Sequence, residues 1–198
     1  MKFISKLNLD KDRKIRNWFI KNINNPKTEK VVYVVSFFDS FISPVPPDPF
    51  LALITILKPQ KWLKFVFYTT LLGLIGGTVG YLGGFYLFQT YGERLVNFYD
   101  IHEELQTLKV TFDNHAFTAI FLAAFTPIPY QIFTVAGGIF KINYFVFIFA
   151  SMMGRGLRFF IVAFIMKFIG ENFGKLILKY LNLILLIVGI VILAYLIF

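Results

Sequence analysis

The chain has 198 residues, 57% of them hydrophobic and 16% charged, with a mean hydropathy of +0.68 and 26 phenylalanines. A soluble domain is roughly half apolar and a quarter charged, so a bilayer must act as solvent for much of this sequence. The lack of cysteine excludes disulfides, thiol catalysis and thiolate metal sites, and the net charge of +9 calls for an anionic partner.

Residues 1–30 carry nine Lys/Arg against three Asp/Glu. No aromatic RNA-binding signature accompanies them, so anionic lipid is the expected partner and nucleic acid is not. Ile4, Leu7, Ile15, Trp18, Phe19 and Ile23 recur at roughly helical spacing, which predicts an amphipathic interfacial helix broken at Asn24-Asn25-Pro26. A partly disordered cationic tail is the alternative. The segment does not read as a cleavable signal peptide.

Val31 to Ser43 is apolar but amounts to only about 20 Å of helix, too short to cross the roughly 30 Å hydrocarbon core. It runs into Pro44-Val45-Pro46-Pro47-Asp48-Pro49, and a second short run, Phe50 to Leu57, follows. Trp62 to Phe88 is long enough to span. Its Gly76, Gly80 and Gly84 form a small-residue row that permits close helix packing and offers a surface for an oligomer. The loop from 90 to 115 is acidic, with Leu95, Phe98, Leu105, Leu108 and Phe112 at helical spacing, and is predicted to lie as an amphipathic helix on the outer surface. Ala116 to Phe125 then meets Pro127-Ile128-Pro129, with Ile132 to Phe140 beyond. Tyr144 to about Ile169 and Leu176 to Phe198 are two further spanning stretches.

Proline removes a backbone donor and clashes with the preceding turn, so neither broken stretch is one continuous helix. Each is expected to form a re-entrant hairpin whose tip is shielded by protein. The two align at a fixed offset of 83: Pro44 with Pro127, Pro46 with Pro129, Phe50 with Phe133, Lys58 with Lys141 and Gly73 with Gly156. The predicted fold is therefore an all-α integral membrane protein, an inverted repeat of re-entrant hairpin plus transmembrane helix. Repeat 1 spans 31–89 and repeat 2 spans 116–170 within a membrane domain of 31–170, and 171–198 is an added C-terminal helix. Broken segments at matching positions point to a midplane binding site. The distribution of Lys and Arg puts the N-terminus in the cytoplasm.

Four charges fall where hydrocarbon makes them expensive: Asp39, Asp48, Arg155 and Arg158. Asp39 is a candidate proton carrier, because desolvation disfavours a charged carboxyl. Asp48 before Pro49 reads as a helix N-cap as well as a tip acid. Arg155 and Arg158 share one helical face, either to neutralise the acids or to grip a phosphate with their planar forks. The tips are Pro44, Pro46, Pro127, Pro129 and Gln131, the last standing where the first repeat has Asp48. Thr126 reads as a cap. His102 and His115 lack a second ligand at metal spacing, so no metal is expected. No nucleophilic triad, HExxH or P-loop is present, so neither an enzyme nor a cofactor is expected.

The stretch FLAAFTPIPYQIFTVAGG at 121–138, followed by SMMGRGLRFF at 151–160, resembles the DedA family (SNARE-associated, VTT domain), closest to its YqaA-like branch. The resemblance spans roughly residues 31–170. It implies a multi-pass protein of the bacterial inner membrane with two opposed re-entrant loops, acting on lipids as a flippase or scramblase, with phospholipid or polyprenyl phosphate as cargo and protons as coupling ions. Family acids correspond to Asp39 and Asp48. The main branch carries arginines at the position of Ala124 and near Tyr130, and this chain has neither, which leaves Arg155 and Arg158 to supply the positive charge. Two other readings stay open: a proton-coupled transporter of a small solute or ion, and a membrane organiser that transports nothing.

Overall fold

The computed structural model describes residues 26–42, 45–99 and 102–168, all helical apart from short connections. The N-terminal amphipathic segment, Pro44 and the C-terminal helix from Leu176 lie outside the described residues. Helix α1 (Pro26–Asp39) opens on a proline, which suits a first turn that has no donor to lose. After the turn at Ser40–Ile42 and the proline segment, α2 (Asp48–Leu57) begins with Pro49 in its first turn. It ends at Lys58, whose N–H still bonds to the Ile54 carbonyl, ahead of Pro59. A single 3-10 turn (Pro59–Lys61) leads into α3 (Trp62–Tyr99), which at 38 residues is longer than the expected span.

The loop expected to lie apart as a separate surface helix is divided differently. Its first part continues α3, and its second part belongs to α4 (His102–Phe125), which kinks at His115 (φ −122°, ψ 18°) and runs on into the second broken stretch. Phe112 of that region packs on Phe133 and Phe140, while Phe98 is 80% exposed. Helix α4 stops before Pro127, which forbids helical backbone at the residue preceding it. Pro129, extended at φ −60° and ψ 99°, starts α5 (Tyr130–Ile139). Lys141, at φ 56°, closes that helix in the left-handed region, with the Ile142 N–H on the Gly137 carbonyl at 3.1 Å. Asn143 caps α6 (Tyr144–Phe168) by accepting the Phe145 N–H at 2.9 Å.

The packing is ordered along α3. Its start meets the start of α1 through Lys61 and Lys64 on Glu29, its middle meets Phe37 at Gly76, and its later part meets α5 at Gly80, Gly84 and Tyr81. Both α1 and α5 therefore run parallel to α3, one beside each half. Helix α6 does the same on the other side, with Phe149 and Gly154 against Phe117 and Phe121 of α4, then Arg158 on Asp48 of α2. The two proline segments thus come together beside the middle of α3 and α6.

The glycine row does the close packing expected of it, inside the chain. A Cβ on Gly76 would stand 2.1 Å from the Phe37 carbonyl oxygen, and one on Gly84 the same distance from that of Val135. An oligomer through α3 must therefore use another of its faces. Two apolar cores result. One gathers Leu51, Ile54, Phe65, Phe159 and Met166, the other Tyr81, Ile120, Ala124, Tyr130 and Phe147. Two helical stretches, Pro59–Gly92 and Tyr144–Phe168, are long and apolar enough to cross a membrane, yet only 33% and 39% of their apolar windows are buried. Phe67, Leu87, Phe145 and Phe168 point outward, as side chains facing lipid do and a soluble core does not allow.

Candidate functional site

Where the two proline segments meet, between the two cores, the four charges form two pairs, with only Asp39 short of full burial. Arg158 is held at the end of α4 and the start of α2 at once. Its Nε and Nη2 donate to the two carboxylate oxygens of Asp48 at 3.0 and 2.5 Å, and its Nη1 donates to the Thr126 carbonyl. Asp48 and Arg158 are both buried. This forked grip ties the first tip to the second through α6.

Asp48 is therefore not the cap its sequence context suggested. Pro47 stands at the N-cap position with no side-chain cap bond, because the Asp48 carboxylate is spent on a guanidinium. Charge-assisted bonds to a cation outweigh one bond to a neutral amide. Thr126 likewise turns back, its hydroxyl donating to the Leu122 carbonyl at 2.6 Å at the end of α4.

Arg155, one turn earlier on α6, is held less completely. Its Nη2 donates to Asp39 at 2.5 Å and its Nη1 to the Ser40 hydroxyl at 2.6 Å, while its Nε has no protein partner although the residue is 97% buried. The guanidinium lies 4.8 Å over the Tyr130 ring, whose hydroxyl donates to Ser151 at 2.6 Å. Asp39 keeps 16% of its side chain exposed, against 6% for Asp48, so the first pair is the accessible one. Thr134 of α5 donates to the Ser40 carbonyl at 3.1 Å and joins the second hairpin to the end of α1.

All four charges line one cavity of about 160 Å³, together with Pro46, Pro127, Pro129 and Gln131. Ala124 and Tyr130 are also in its wall, so Arg155 and Arg158 bring positive charge from α6 into the space those positions face. The tips are chemically unequal, since Gln131 carries no charge to set against Asp48. The Ser36, Ser40, Thr134 and Tyr130 hydroxyls were not singled out from sequence. Ser36 and Ser40, four apart and flanking Asp39 on a short apolar helix, were the available signal.

A further charged group sits at the start of α1. Glu29 is buried and accepts from Lys58 at 2.9 Å and Lys61 at 3.2 Å, with Lys64 at 3.5 Å. Burial pushes its carboxyl up, but the hydrogen bonds and charges of Lys58 and Lys61 together outweigh that and leave it below its ordinary 4.5. This clasp fastens the open end of the first hairpin to α3. His115 is exposed at the kink of α4.

The VTT domain family matches residues 45–168, which takes in Pro46, Asp48, the second proline tip and both arginines, and begins after Asp39 and Pro44. A protein of Haemophilus influenzae, described as uncharacterized, is 32% identical over 150 residues, covering 76% of this chain and 78% of its own length. A Histophilus somni protein, also described as uncharacterized, is 30% identical over 140 residues, 71% of this chain and 73% of its own. No solved structure matches the chain. A family match over most of the chain, with a relative similar along most of its length, identifies the protein: it belongs to the VTT-domain (DedA) family of membrane proteins.

Proposed function

We propose that this protein moves a phosphate-bearing lipid headgroup across the membrane together with a proton, both taken up at the Arg155–Asp39 pair. In this reading the two hairpins are re-entrant from opposite faces and their tips meet near the midplane. The observation that carries it is two Arg–Asp pairs, one buried and tightly held and one partly exposed and loosely held, in a single cavity between the tips. Together the four groups sum to zero charge, so an anion gains little from the site as it stands. A proton on Asp39 raises the site to +1 and releases Arg155, whose planar fork then suits a phosphate. Anion and proton enter together, and the pair closes again when both leave.

The cavity size supports a headgroup inside and acyl chains outside. It is small against the roughly 300–1,000 Å³ of a pocket that encloses a drug-sized ligand. The same smallness favours a second reading, a small free anion carried with a proton. Proteoliposomes separate the two. Movement of a fluorescent phospholipid or a polyprenyl phosphate, faster than in protein-free vesicles and lost in Asp39→Asn and Arg155→Ala, supports lipid cargo. Uptake of inorganic phosphate with no headgroup movement supports the small anion. Neither activity from folded protein overturns both.

A further inference from the structure

Five buried side-chain polar atoms among the described residues have no protein hydrogen-bond partner: Tyr33 Oη, Thr55 Oγ1, Thr69 Oγ1, Thr70 Oγ1 and Arg155 Nε. They come from α1, α2, α3 and α6, and none comes from α4 or α5. Buried polar groups in native proteins almost always find a partner, so five orphans ask for one.

Tyr33, Thr69, Thr70 and Arg155 follow one another along neighbouring positions. On α1, Glu29, Tyr33, Ser36 and Ser40 follow at spacings of four, three and four, one face of a helix. The Tyr33 ring lies 5.4 Å from that of Tyr68, and the next residue, Thr69, accepts the Ser36 hydroxyl on its carbonyl at 2.8 Å. A Cβ on Gly73 would be 2.9 Å from Ser36 Oγ and 3.1 Å from Arg155 Nε, so the bare glycine lets both polar atoms approach α3 at one point. Thr70 lies against Gly156, the neighbour of Arg155, and Thr55 is on α2, which packs on α3. The path from Glu29 to Asp39 is ten residues of helix, about 15 Å.

We propose that a file of water occupies this seam between α1, α3 and α6, reaching the Arg155–Asp39 pair from the Glu29 end of the molecule. Water supplies the hydroxyls of Tyr33, Thr69 and Thr70 and the guanidinium Nε with the partner the protein withholds. The second hairpin carries no such orphans among the described residues. The seam is a binding site for water that meets the cavity between the tips at Arg155 and Asp39. That it feeds protons to Asp39 rests on the proton uptake proposed above; that it is wet does not.

The cysteine-free chain makes the test direct. Thr69→Cys and Ala163→Cys are reconstituted in vesicles of known orientation and exposed to silver ions, and the remaining thiol is then counted with a maleimide after denaturation. Both positions are fully buried, but Ala163 lies in the apolar core. The expected result is loss of maleimide labelling for Thr69→Cys when silver is added at the Glu29 face, and full labelling for Ala163→Cys. A Thr69→Cys thiol as unreactive as that of Ala163→Cys, or one reached equally from the opposite face, overturns the proposal. Thr69→Val gives a second readout that needs no thiol. Removing a hydrated hydroxyl leaves Tm level or lowers it, whereas a rise in Tm would mean the hydroxyl had been dry and unpaired, and the seam with it. Vesicles that move no lipid would remove the cargo assignment and leave the silver result standing.

Discussion

Arg155 and Arg158 sit three residues apart on one helix, yet their surroundings give them different work. Arg158 spends its donors on both oxygens of Asp48 and on the Thr126 carbonyl, in a place closed to solvent. Removing one member of such a pair strands the other, so Arg158→Ala is expected to cost about 3–5 kcal/mol, read as a drop in Tm. The double variant Arg158→Leu/Asp48→Leu is expected to regain most of that loss, because an apolar pair leaves no charge unpaired. Asp39→Asn is the contrasting case. An amide still accepts from Arg155 but neither neutralises it nor exchanges a proton, so Tm should fall less than in Arg158→Ala while headgroup movement in vesicles falls to the protein-free rate. The sequence names all four charges, since a charge in an apolar stretch is conspicuous. It does not name the pairing, because Asp48 and Arg158 are 110 positions apart and chain order gives no distance between them. The cap reading of Asp48 fails for the same reason: Asp-Pro before an apolar run looks the same with or without a distant arginine.

At the scale of elements, the glycines of α3 divide by what they face. Gly83 has nothing within 4 Å of where a Cβ would be, so Gly83→Ala should stabilise by about 0.5–1 kcal/mol through helix propensity alone. Gly84 is its neighbour, yet its Cβ would strike the Val135 backbone, and Gly84→Ala should cost about 1–3 kcal/mol as α3 and α5 are forced apart. Thermal denaturation of the two variants side by side checks both signs. The small-residue row was legible because its period is that of the helix. Its partners were not, since the same row serves equally for a second copy of the chain. The extent of α3 and α4 was also hidden. Composition marks where hydrocarbon ends, whereas the helix continues past it until a residue breaks the backbone.

For the whole molecule, the two apolar cores are separated by the polar layer of the site, and the Glu29 clasp holds the first hairpin at its open end. Because the Glu29 carboxyl is lowered from 4.5, its stabilising contribution is fully present above that value and fades as pH falls through the lowered one. The Tm difference between the native protein and Glu29→Gln should be greatest near neutrality and close progressively below about pH 4.5. A difference that is constant with pH would show that the clasp does not depend on the ionised carboxylate.

By itself the sequence determined that the chain is helical and built for lipid, that two stretches are broken by proline, and that four charges are kept in apolar surroundings. Those features are local: hydropathy, backbone donors and the cost of a buried charge all act within a few residues. Only the tertiary structure decided that the tips meet, that Asp39 answers Arg155 and Asp48 answers Arg158, and that one pair is locked while the other keeps a free donor and an exposed edge. Those are facts of distance between remote segments, and they turn four isolated charges into a site.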